Sequence, residues 1–530
     1  MTAAGPTGYE AALRALAARG RFGIRLGLGR TRGLLALLGD PQTTVRGALI
    51  AGTNGKGSVQ ALVSAVLGEA GYRVGQTPKP HLVEYRERLV VGGEPIGPDE
   101  FAALMGRVLA AAGRVPRRLG PPTEFEVVTA AAFTWFRERD VDLAVVEVGL
   151  GGRLDATNAW DGGVAAVTNV AMDHAELLGP TIPAIAREKA AILKRGDRAV
   201  TGATGEALAV VRRRARRLGV PLREVAPLPV VGMDRHGLRV EAPGIGEVRM
   251  RLLGRHQALN AAVALAIVDE LEAAGLATAD SSARRRGLEH AAWPGRLELI
   301  PVPPASGWSA HEGAHEGVDP HVRDRALDGG LRPDRVRAVG LVSADDLAGT
   351  GAHRPESAGI DLLLDGAHNP DGVAALVAAI RELRPSLAPG RPTVLLAIMR
   401  DKDVDSMLAT LIGDSTLGDA HVVTTRVGER GLDAADLGAR VDRAREVAQW
   451  TARAGSRPGG PGGEPLGGAG ARPFRGADPS DRAVPVPEPA DALDAALEQA
   501  ARDGGPLIVA GSLYLVGTVR GILQARGLVR

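Results

Sequence analysis

The chain has 530 residues, of which 45% are hydrophobic and 24% charged, and its formal net charge is +2. This length is too great for one ordinary hydrophobic core and predicts two or more domains. The absence of cysteine from the sequence excludes disulfides, thiolate zinc sites and cysteine nucleophiles. Basic residues are scattered, no apolar run reaches the ~18 residues of a membrane helix, and residues 1–8 lack a secretory signal pattern. We therefore expect a cytoplasmic protein that binds neither nucleic acid nor membranes.

A glycine-rich loop follows two short helices, which we predict at residues 9–18 and 27–39. The apolar run 48–51 is typical of a buried strand, and apolar spacing predicts a helix over 59–70. A strand, a glycine loop and a helix form the geometry that binds phosphate, because backbone N–H groups and the helix N-terminus converge on the anion. The loop residues are Gly52, Thr53, Asn54, Gly55, Lys56, Gly57 and Ser58.

The loop departs from the common phosphate-binding pattern at two positions. Ile50 stands where that pattern has glycine, and Gly57 stands where it has serine or threonine. An ordinary tight turn is the alternative, since glycine, threonine and asparagine all favour turns. However, a lysine between two glycines at the start of a helix has little structural purpose. This position of Lys56 favours nucleotide binding, and Ser58 could hold Mg²⁺.

Lysine is rare in this chain. Only five of the 64 basic residues are lysines, namely Lys56, Lys79, Lys189, Lys194 and Lys402. Lysine differs from arginine as a compact point charge with a nucleophilic amine. A surviving lysine therefore suggests a position where a guanidinium will not serve. Chance survival at the surface is the alternative, which we accept for Lys194 and Lys402 but not for Lys56 and Lys189.

After the loop helix, the sequence predicts a rigid loop at 77–82 and a hairpin at 88–96. Thr123 and Glu126 form a capping box, which begins a helix that reaches about residue 139. This box is a complete structural explanation for Thr123. A ligand role for Thr123 or Phe125 therefore needs other support.

A buried strand is predicted at 143–149, and it ends on a carboxylate, Glu147. Ligands of open parallel sheets lie beyond the carboxyl ends of strands, and a charge in an apolar run is costly unless it is paired or bound to metal. A glutamate that merely emerges into solvent is the alternative. A second glycine-rich loop follows at 149–158. His174 follows the next predicted strand, 164–170, in the same layer, which favours a metal ligand over a structural histidine.

Strands and helices alternate through the rest of the chain and predict two α/β domains, residues 1–298 and 299–530. Residues 303–359 lack periodicity and residues 454–487 are rich in glycine and proline, so we expect flexible insertions at both. The remaining predicted elements are a helix capped by Thr181 and reaching 196, a strand at 198–201, a helix at 206–219, strands within 238–253, helices at 255–274 and 284–290, strands at 360–364, 393–399 and 421–425, a helix to about 383, a helix at 489–502, a strand at 507–510 and a final helix.

Together these motifs resemble the folylpolyglutamate synthase/dihydrofolate synthase family of the Mur ligase superfamily. The resemblance covers roughly residues 9–300, 360–425 and 489–530. One motif alone is modest evidence, but their joint order is highly specific. In chain order the motifs are GTNGKGS, TEFE, EVGLGGRLDATN, DH…LG.T…IA.EKA.I.K, GRHQ..NA, WPGR.E, LDGAHNP, DKD and GSLYLVG.

The resemblance implies an α/β architecture, with a Mur-ligase-like P-loop ATPase domain followed by a smaller Rossmann-like glutamate-ligase domain. It implies ATP-dependent ligation of L-glutamate to a folate-type carboxylate through an acyl phosphate, on tetrahydrofolate, dihydropteroate or both. The implied cofactors are ATP and Mg²⁺, with a monovalent cation as an additional candidate. The implied partners are these small molecules alone, and a monomer is the family-like default.

The resemblance also implies roles for individual residues. The catalytic residues are Lys56, His174 and Lys189. The metal ligands are Ser58, Glu147, His174 and Lys189, the last as a carbamate formed with CO₂. The ATP-binding residues are Thr53, Asn54, Gly55, Lys56, Gly57, Ser58, Asn260, Arg296, Asp365 and His368. The substrate-binding residues are Lys79, His81, Thr123, Glu124, Phe125, Leu154 and Asp155.

Lys79 departs from the family pattern, which usually has a magnesium-binding serine before Pro-His-Leu. A cation is electrostatically unexpected at a magnesium site. The ammonium could replace one ion, Thr77 could take over as a ligand, or the site could be filled through water. We hypothesise that Lys79 lies near the phosphates and partly substitutes for a metal ion.

Two other functions are alternatives to a folate ligase. One is another Mur-type amino-acid ligase with a cell-wall or polymer substrate, which the TEFE helix and the DATN loop disfavour. The other is a non-catalytic nucleotide-binding switch. Such a switch would not need Glu147, His174 and Lys189 together, nor a second α/β domain.

Overall fold

The computed structural model describes residues 8–20, 26–303, 359–455 and 482–529. The chain divides into two compact units. The first comprises Met1–Glu298 and Asn369–Ser386, and the second comprises Leu299–His368 and Leu387–Arg530. Apart from their end residues, the insertion predicted at 303–359 and most of that predicted at 454–487 lie outside the described residues.

The first unit is built on an eight-stranded sheet with the strand order β4-β3-β2-β5-β1-β6-β7-β8. Its central and far strands run parallel to one another, in the order β2, β5, β1, β6, β7 and β8. Strand β3 is antiparallel to β2, and β4 is antiparallel to β3. Its strands are β1 (Arg46–Ala51), β2 (Val74–Thr77), β3 (Val90–Val91), β4 (Glu94–Pro95), β5 (Leu143–Glu147), β6 (Gly163–Val167), β7 (Arg198–Thr201) and β8 (Leu222–Glu224).

A smaller antiparallel sheet also belongs to this unit, formed by β9 (Val230–Asp234), β10 (Gly237–Ala242) and β11 (Gly246–Met250). The helices of the unit are α1 (Tyr9–Gly20), α2 (Gly29–Leu37), α3 (Lys56–Glu69), α4 (Pro98–Ala112), α5 (Glu124–Glu138), α6 (Ala175–Leu178), α7 (Ile182–Ala190), α8 (Gly205–Leu218), α9 (Gln257–Ala273), α10 (Ser281–His290) and α11 (Pro370–Leu383).

The second unit holds a six-stranded sheet with the order β12-β13-β17-β14-β15-β16. Its strands are β12 (Glu298–Val302), β13 (Ile360–Leu364), β14 (Thr393–Leu396), β15 (His421–Thr424), β16 (Val484–Pro485) and β17 (Leu507–Ala510). Its helices are α12 (Val404–Ile412), α13 (Ala434–Gly455), α14 (Pro489–Asp503) and α15 (Leu513–Ala525). The predicted α/β class is confirmed for both units.

Strand β1 shows why the central strands read as continuous apolar runs. Leu49 and Ala51 belong to the hydrophobic core on one face of the sheet, and Ala48 and Ile50 belong to the core on the other. Both faces of a parallel strand are covered by helices, so successive residues must all be apolar. This double burial fixes the end of β1, and with it the start of the glycine-rich loop.

Several predicted bounds are wrong. The helix after the glycine loop begins at Lys56, three residues earlier than predicted, because Gly55 caps it in the left-handed conformation at φ 83°. The predicted strands 143–149, 164–170 and 393–399 end early, at Glu147, Val167 and Leu396. The helix capped by Thr181 ends at Ala190 rather than 196.

The end of the insertion predicted at 454–487 needs a correction. Val484–Pro485 forms an edge strand that pairs in parallel with β15. An edge strand tolerates proline, because its unpaired side needs no N–H donor. The proline-rich composition that suggested a linker is therefore compatible with β16. Helices α4, α6, α12 and α13 and strands β8, β9 and β12 were not predicted.

Helix α10 packs against α3 at Gly287, and this contact gives a stability test. A Cβ atom at Gly287 would lie 2.4 Å from the Cα atom of Val66, whereas a Cβ at Gly68 would meet nothing within 4 Å. We expect Gly287→Ala to lower the free energy of unfolding of the first unit by about 1–3 kcal/mol through overpacking. Gly68→Ala, the matched control, should raise it by about 0.5–1 kcal/mol because alanine favours the helix.

Thermal and urea unfolding of the two variants, followed by circular dichroism, would measure these changes. Equal stabilisation by both alanines would contradict the close α3–α10 packing.

Candidate active site

The glycine-rich loop is enclosed by neighbouring side chains at two of its glycines. A Cβ at Gly55 would lie 2.3 Å from Asn260 Oδ1, and a Cβ at Gly57 would lie 2.5 Å from Trp293 Cζ2. Gly57 therefore stands where the common pattern has a hydroxyl residue because an indole occupies that space. This departure from the common pattern thus has a packing explanation within the first unit.

The residues that follow β6 hold the loop by hydrogen bonds. The backbone N–H of Thr53 donates to Asn169 O at 3.0 Å, and that of Asn54 donates to Asn169 Oδ1 at 2.8 Å. Thr168 Oγ1 donates to Asn54 O at 2.7 Å, and the Thr53 hydroxyl exchanges hydrogen bonds with the backbone of Ala171. These contacts fix the loop before any ligand binds. Thr168 and Asn169 were not predicted as site residues, because no local sequence pattern distinguishes them.

Helix α9 places Asn260 beside the loop, where the sequence predicted an ATP contact. Asn260 Nδ2 donates to Gln257 Oε1 at 2.8 Å, and Gln257 Nε2 donates to Ser58 Oγ at 3.3 Å. This chain of amides joins α9 to the first turn of α3. The Ser58 hydroxyl keeps its own proton and one further lone pair for a ligand.

Two ammonium groups meet at one backbone oxygen of the loop. Lys56 Nζ donates to Gly52 O at 3.0 Å and to Thr53 O at 3.1 Å. Lys189 Nζ, on α7, donates to the same Gly52 O at 2.9 Å. The Lys189 residue is only 4% exposed, and burial lowers its pKa to about 7. Two lysines so close together make this spot favourable for an anion.

A buried carboxylate lies next to these lysines. Glu147, the last residue of β5, is 4% exposed, and its Oε1 lies 3.9 Å from Lys56 Nζ. Its Oε2 and the Oγ1 of Thr77 are buried without hydrogen-bond partners in the described parts of the chain. Burial raises the pKa of Glu147, and the nearby charges of Lys56, Lys79 and Arg296 oppose that rise. The alternative of a glutamate emerging into solvent is wrong.

Lys79 packs between the end of β5 and α5. Its Nζ donates to Glu147 O at 2.6 Å and lies 4.7 Å from the ring centroid of Phe125. Burial lowers the pKa of Lys79 to about 8, although the charges of Asp155 and Glu147 oppose this shift. The ammonium thus lies beside Glu147. That Lys79 lies near the phosphates and partly substitutes for a metal ion stays a prediction.

His174 lies in a different local setting from Glu147. It caps α6 with a left-handed backbone at φ 49°, and its side chain is 39% exposed. Its Nε2 lies 3.7 Å from Asp173 Oδ2. Among the described residues, no three or more His, Cys, Asp or Glu side chains cluster as a metal site. The predicted set of Ser58, Glu147, His174 and carbamylated Lys189 has only two such side chains and stays a prediction.

The capping box predicted for Thr123 is confirmed. Thr123 N donates to Glu126 Oε2 at 2.8 Å, and Glu126 N donates to Thr123 Oγ1 at 3.3 Å. Glu124 accepts a hydrogen bond from the Tyr85 hydroxyl at 2.5 Å. The ring of Phe125 lies against Gly149, where a Cβ would be 2.7 Å from Phe125 Cζ.

Asp155 serves the loop that carries it. Its two carboxylate oxygens accept hydrogen bonds from the backbone N–H groups of Gly149, Leu150 and Thr157 and from the Thr157 hydroxyl, at 2.6–3.0 Å. Leu154, before it, is half-buried. These contacts give Asp155 a structural role in shaping the loop, whatever else it touches.

His81 accepts a hydrogen bond at Nδ1 from Arg88 Nε at 2.9 Å. In the second unit, Asp365 and His368 follow β13. Asp365 Oδ1 accepts from the backbone N–H of Ala367 at 2.8 Å, and His368 Nδ1 lies 2.8 Å from Gly366 O. Both residues stay predicted ATP contacts.

Comparisons with known proteins identify the family. Residues 50–268 match the Mur ligase middle domain, and residues 353–513 match the Mur ligase glutamate ligase domain. A dihydrofolate synthase/folylpolyglutamate synthase of Bacillus subtilis is 38% identical over 324 residues, which are 59% of this chain and 75% of that protein. The chain belongs to the dihydrofolate synthase/folylpolyglutamate synthase family. The resemblance inferred from the motifs is thereby confirmed.

Two further proteins are similar to this chain, one in sequence and one in solved structure. A probable bifunctional folylpolyglutamate synthase/dihydropteroate synthase of Haloferax volcanii is 36% identical over 63% of this chain, which spans only 38% of that relative. A solved Mycobacterium tuberculosis folylpolyglutamate synthase complexed with ADP superposes with a TM-score of 0.71 at 28% identity, covering 97% of this chain and 98% of that one. The family consists of ATP-dependent ligases. No helix in the described ranges is long and apolar enough to cross a membrane.

Proposed function

We propose that this chain uses ATP to ligate L-glutamate to a folate-type carboxylate, on tetrahydrofolate, dihydropteroate or both. The observation that carries the proposal is the convergence of Lys56 and Lys189 on Gly52 O beside the buried carboxylate of Glu147. The charges of Lys56, Lys79 and Arg296 all act on Glu147, so positive charges outnumber this carboxylate and favour the binding of phosphate. Family membership supports the same activity.

The chemistry proceeds in two balanced steps. A carboxylate oxygen of the folate-type substrate attacks the γ-phosphorus of ATP, the bond to the β-phosphate oxygen breaks, and ADP leaves. The glutamate amine then attacks the acyl carbon, loses a proton, and expels inorganic phosphate. Phosphoryl transfer depends mainly on placement and charge neutralisation. We assign these roles to Lys56 and to the backbone of the loop, from Thr53 to Ser58.

The donor set near Glu147 fits Mg²⁺, which prefers oxygen ligands. Glu147 Oε2 and Thr77 Oγ1 are buried oxygens without partners in the described chain. We propose that Ser58, Glu147, His174 and carbamylated Lys189 hold the ion, with Thr77 as a further candidate. When bound, Mg²⁺ neutralises phosphate charge.

The other predicted roles remain proposals. The proposed ATP contacts are Asn260, Arg296, Asp365 and His368. The pocket for the pterin part of the substrate is lined by Thr123, Phe125, Leu154 and Asp155. Lys79, His81 and Glu124 also bind the substrate. The domains are 1–298 and 299–530, and the protein is a cytoplasmic monomer without nucleic-acid or membrane partners. We also propose that a monovalent cation can assist.

The function is tested by measuring ADP release from ATP, Mg²⁺ and L-glutamate, with dihydropteroate or a reduced folate offered in turn. We expect at least one pterin to stimulate ADP release and to gain one glutamate residue by mass spectrometry. Omission of L-glutamate is the control and should prevent the mass gain. The absence of stimulation by either pterin would reject the proposal.

Lys189 is proposed to carry CO₂ as a carbamate, which converts a buried amine into an anionic oxygen ligand. The lowered pKa of about 7 leaves much of this amine neutral and nucleophilic at neutral pH. One N–H remains after the reaction and can still donate to Gly52 O. We expect ¹³C-bicarbonate to give a carbamate resonance that Lys189→Arg abolishes, together with a kcat loss of roughly a hundredfold or more.

Lys194→Arg is the matched control for this experiment, because Lys194 is a half-buried lysine whose pKa is also lowered by burial but whose Nζ donates to Trp160 O instead. It should retain the resonance. Persistence of the signal in Lys189→Arg would show that the carbamate lies elsewhere.

Lys79 is proposed to supply a fixed positive charge beside Glu147 that lessens the need for a metal ion. Lys79→Ser and Lys79→Met remove this charge, and we expect the Mg²⁺ concentration for half-maximal activity to rise roughly tenfold. Lys79→Arg retains a charge and should change it less. If the serine and methionine variants keep the Mg²⁺ dependence and the KM for ATP of the wild type, this role is wrong.

A further inference from the structure

The loop before the β3–β4 hairpin holds His81 in one defined protonation state. Arg88 Nε lies 2.9 Å from His81 Nδ1. A guanidinium can only donate hydrogen bonds, so Nδ1 must accept and cannot carry a proton. The proton of the neutral ring is therefore on Nε2. This assignment follows from the chemistry of arginine rather than from the position of any hydrogen.

Arg88 is itself held in place by its surroundings. Its guanidinium lies 4.5 Å from the ring centroid of Tyr85, and its NH1 lies 3.7 Å from Glu124 Oε1. The Tyr85 hydroxyl donates to the same Glu124 oxygen, and the Tyr85 ring lies 5.1 Å from that of His81. The histidine is thus oriented by a packed cluster, defined here as His81, Tyr85, Arg88 and Glu124.

The backbone of this loop is fixed as well. The carboxylate of Glu87 accepts hydrogen bonds from the backbone N–H groups of Leu82, Val83 and Glu84 at 2.6–3.0 Å. Arg88 lies on a short 3₁₀ helix, Tyr85–Arg88, which also carries Glu87. The three residues that follow His81 therefore cannot move independently of this helix. This rigidity is what a precisely aimed donor requires, because a mobile side chain loses its entropy on binding.

The other ring nitrogen of His81 has no such partner. Within the described part of the chain, Nε2 makes no hydrogen bond. It is also absent from the fully buried polar atoms that lack partners, so it keeps some exposure to solvent. The side chain as a whole is half-buried. A histidine whose Nδ1 is held by Arg88 and whose Nε2–H has no partner in the described chain is suited to donate to a ligand.

The chemistry of the nearby groups indicates which ligand. Glu124 of the cluster precedes Phe125, whose ring lies under the Lys79 ammonium. An aromatic face and a cation suit an aromatic ligand with a carboxylate, while a neutral N–H suits an uncharged acceptor such as a carbonyl oxygen or a heteroaromatic nitrogen. Burial and the charge of Arg88 lower the pKa of His81 to about 3, so the ring stays neutral at physiological pH.

We propose that His81 binds the folate-type substrate by donating Nε2–H to an uncharged acceptor of its pterin or p-aminobenzoyl part, and that Arg88 is the positioning residue that sets this tautomer. This inference rests on the proposed function.

Two isosteric variants separate the two nitrogens of His81. The amide nitrogen of glutamine reaches the position of Nε2, whereas asparagine reaches only that of Nδ1. We expect His81→Gln to keep the KM for the pterin substrate within about threefold of the wild type. His81→Asn should raise that KM roughly three- to tenfold, the effect of one lost hydrogen bond. The KM values for ATP and L-glutamate and the kcat should change little in both variants.

The tautomer is measured independently of activity by ¹⁵N NMR of the full chain with labelled histidine, in which His81→Gln identifies the His81 signals. We expect a pyridine-type Nδ1 and a pyrrole-type Nε2 in the wild type. Arg88→Met, which keeps the aliphatic part but removes the donor, should mix the tautomers and raise the pterin KM. Unfolding midpoints verify that each variant folds.

The outcomes separate this inference from the proposed function. If neither pterin stimulates the wild-type enzyme, the proposed function fails and the inference fails with it. If the wild type is active but the glutamine and asparagine variants have the same pterin KM, or the His81 signals show a protonated Nδ1, the inference alone is overturned. A change in the KM for glutamate or ATP instead would also overturn it.

Discussion

The arrangement of the site depends on one backbone oxygen, the carbonyl of Gly52. It accepts hydrogen bonds from Lys56, which comes from the helix after the loop, and from Lys189, which comes from α7. Burial and the charge of Lys56 lower the pKa of Lys189, because two ammonium groups at one oxygen repel each other, and the carboxylates of Glu147 and Asp173 offset this repulsion only in part. The fold must hold these groups together by packing, and the repulsion is relieved when an anion binds or when Lys189 takes up CO₂ as the proposed carbamate. The protein is therefore preorganised for phosphate at a cost to its own stability.

The strand order explains how residues far apart in sequence reach this point. Strands β2, β5, β1 and β6 are neighbours and run parallel, and Ile50 is paired with Glu147 in register. The carboxyl ends of these strands therefore bring Thr77, Glu147, Gly52 and Thr168 to one edge of the sheet. A Cβ at Gly52 would lie 1.8 Å from Thr168 Oγ1, so the close approach of β1 and β6 determines the residue type at the first loop position.

The sequence was sufficient for features that depend on local pattern. The buried strand, the glycine loop, the capping box of Thr123 and the buried Glu147 all follow from apolar spacing and turn chemistry. Features that depend on tertiary contacts could not be predicted. Asn169 bonds the glycine loop, which is distant in sequence, and Arg88 acts through the geometry of its contact with His81. The reason for Gly57 is its contact with Trp293, which is also distant in sequence. The edge strand at Val484–Pro485 was hidden by a composition typical of linkers.

The loop that contains Lys79 and His81 shows how neighbours set the chemistry of two similar donors. Lys79 donates to the Glu147 carbonyl, and burial lowers its pKa to about 8, while the charges of Asp155 and Glu147 favour its ammonium form. His81, two residues later, accepts from a guanidinium, and burial together with the positive charge of Arg88 lowers its pKa to about 3. At neutral pH one side chain is therefore a cation and the other a neutral donor. A ligand that carries both a carboxylate and uncharged acceptors, as a folate does, can satisfy both, whereas a purely anionic ligand would leave the histidine without a matching partner.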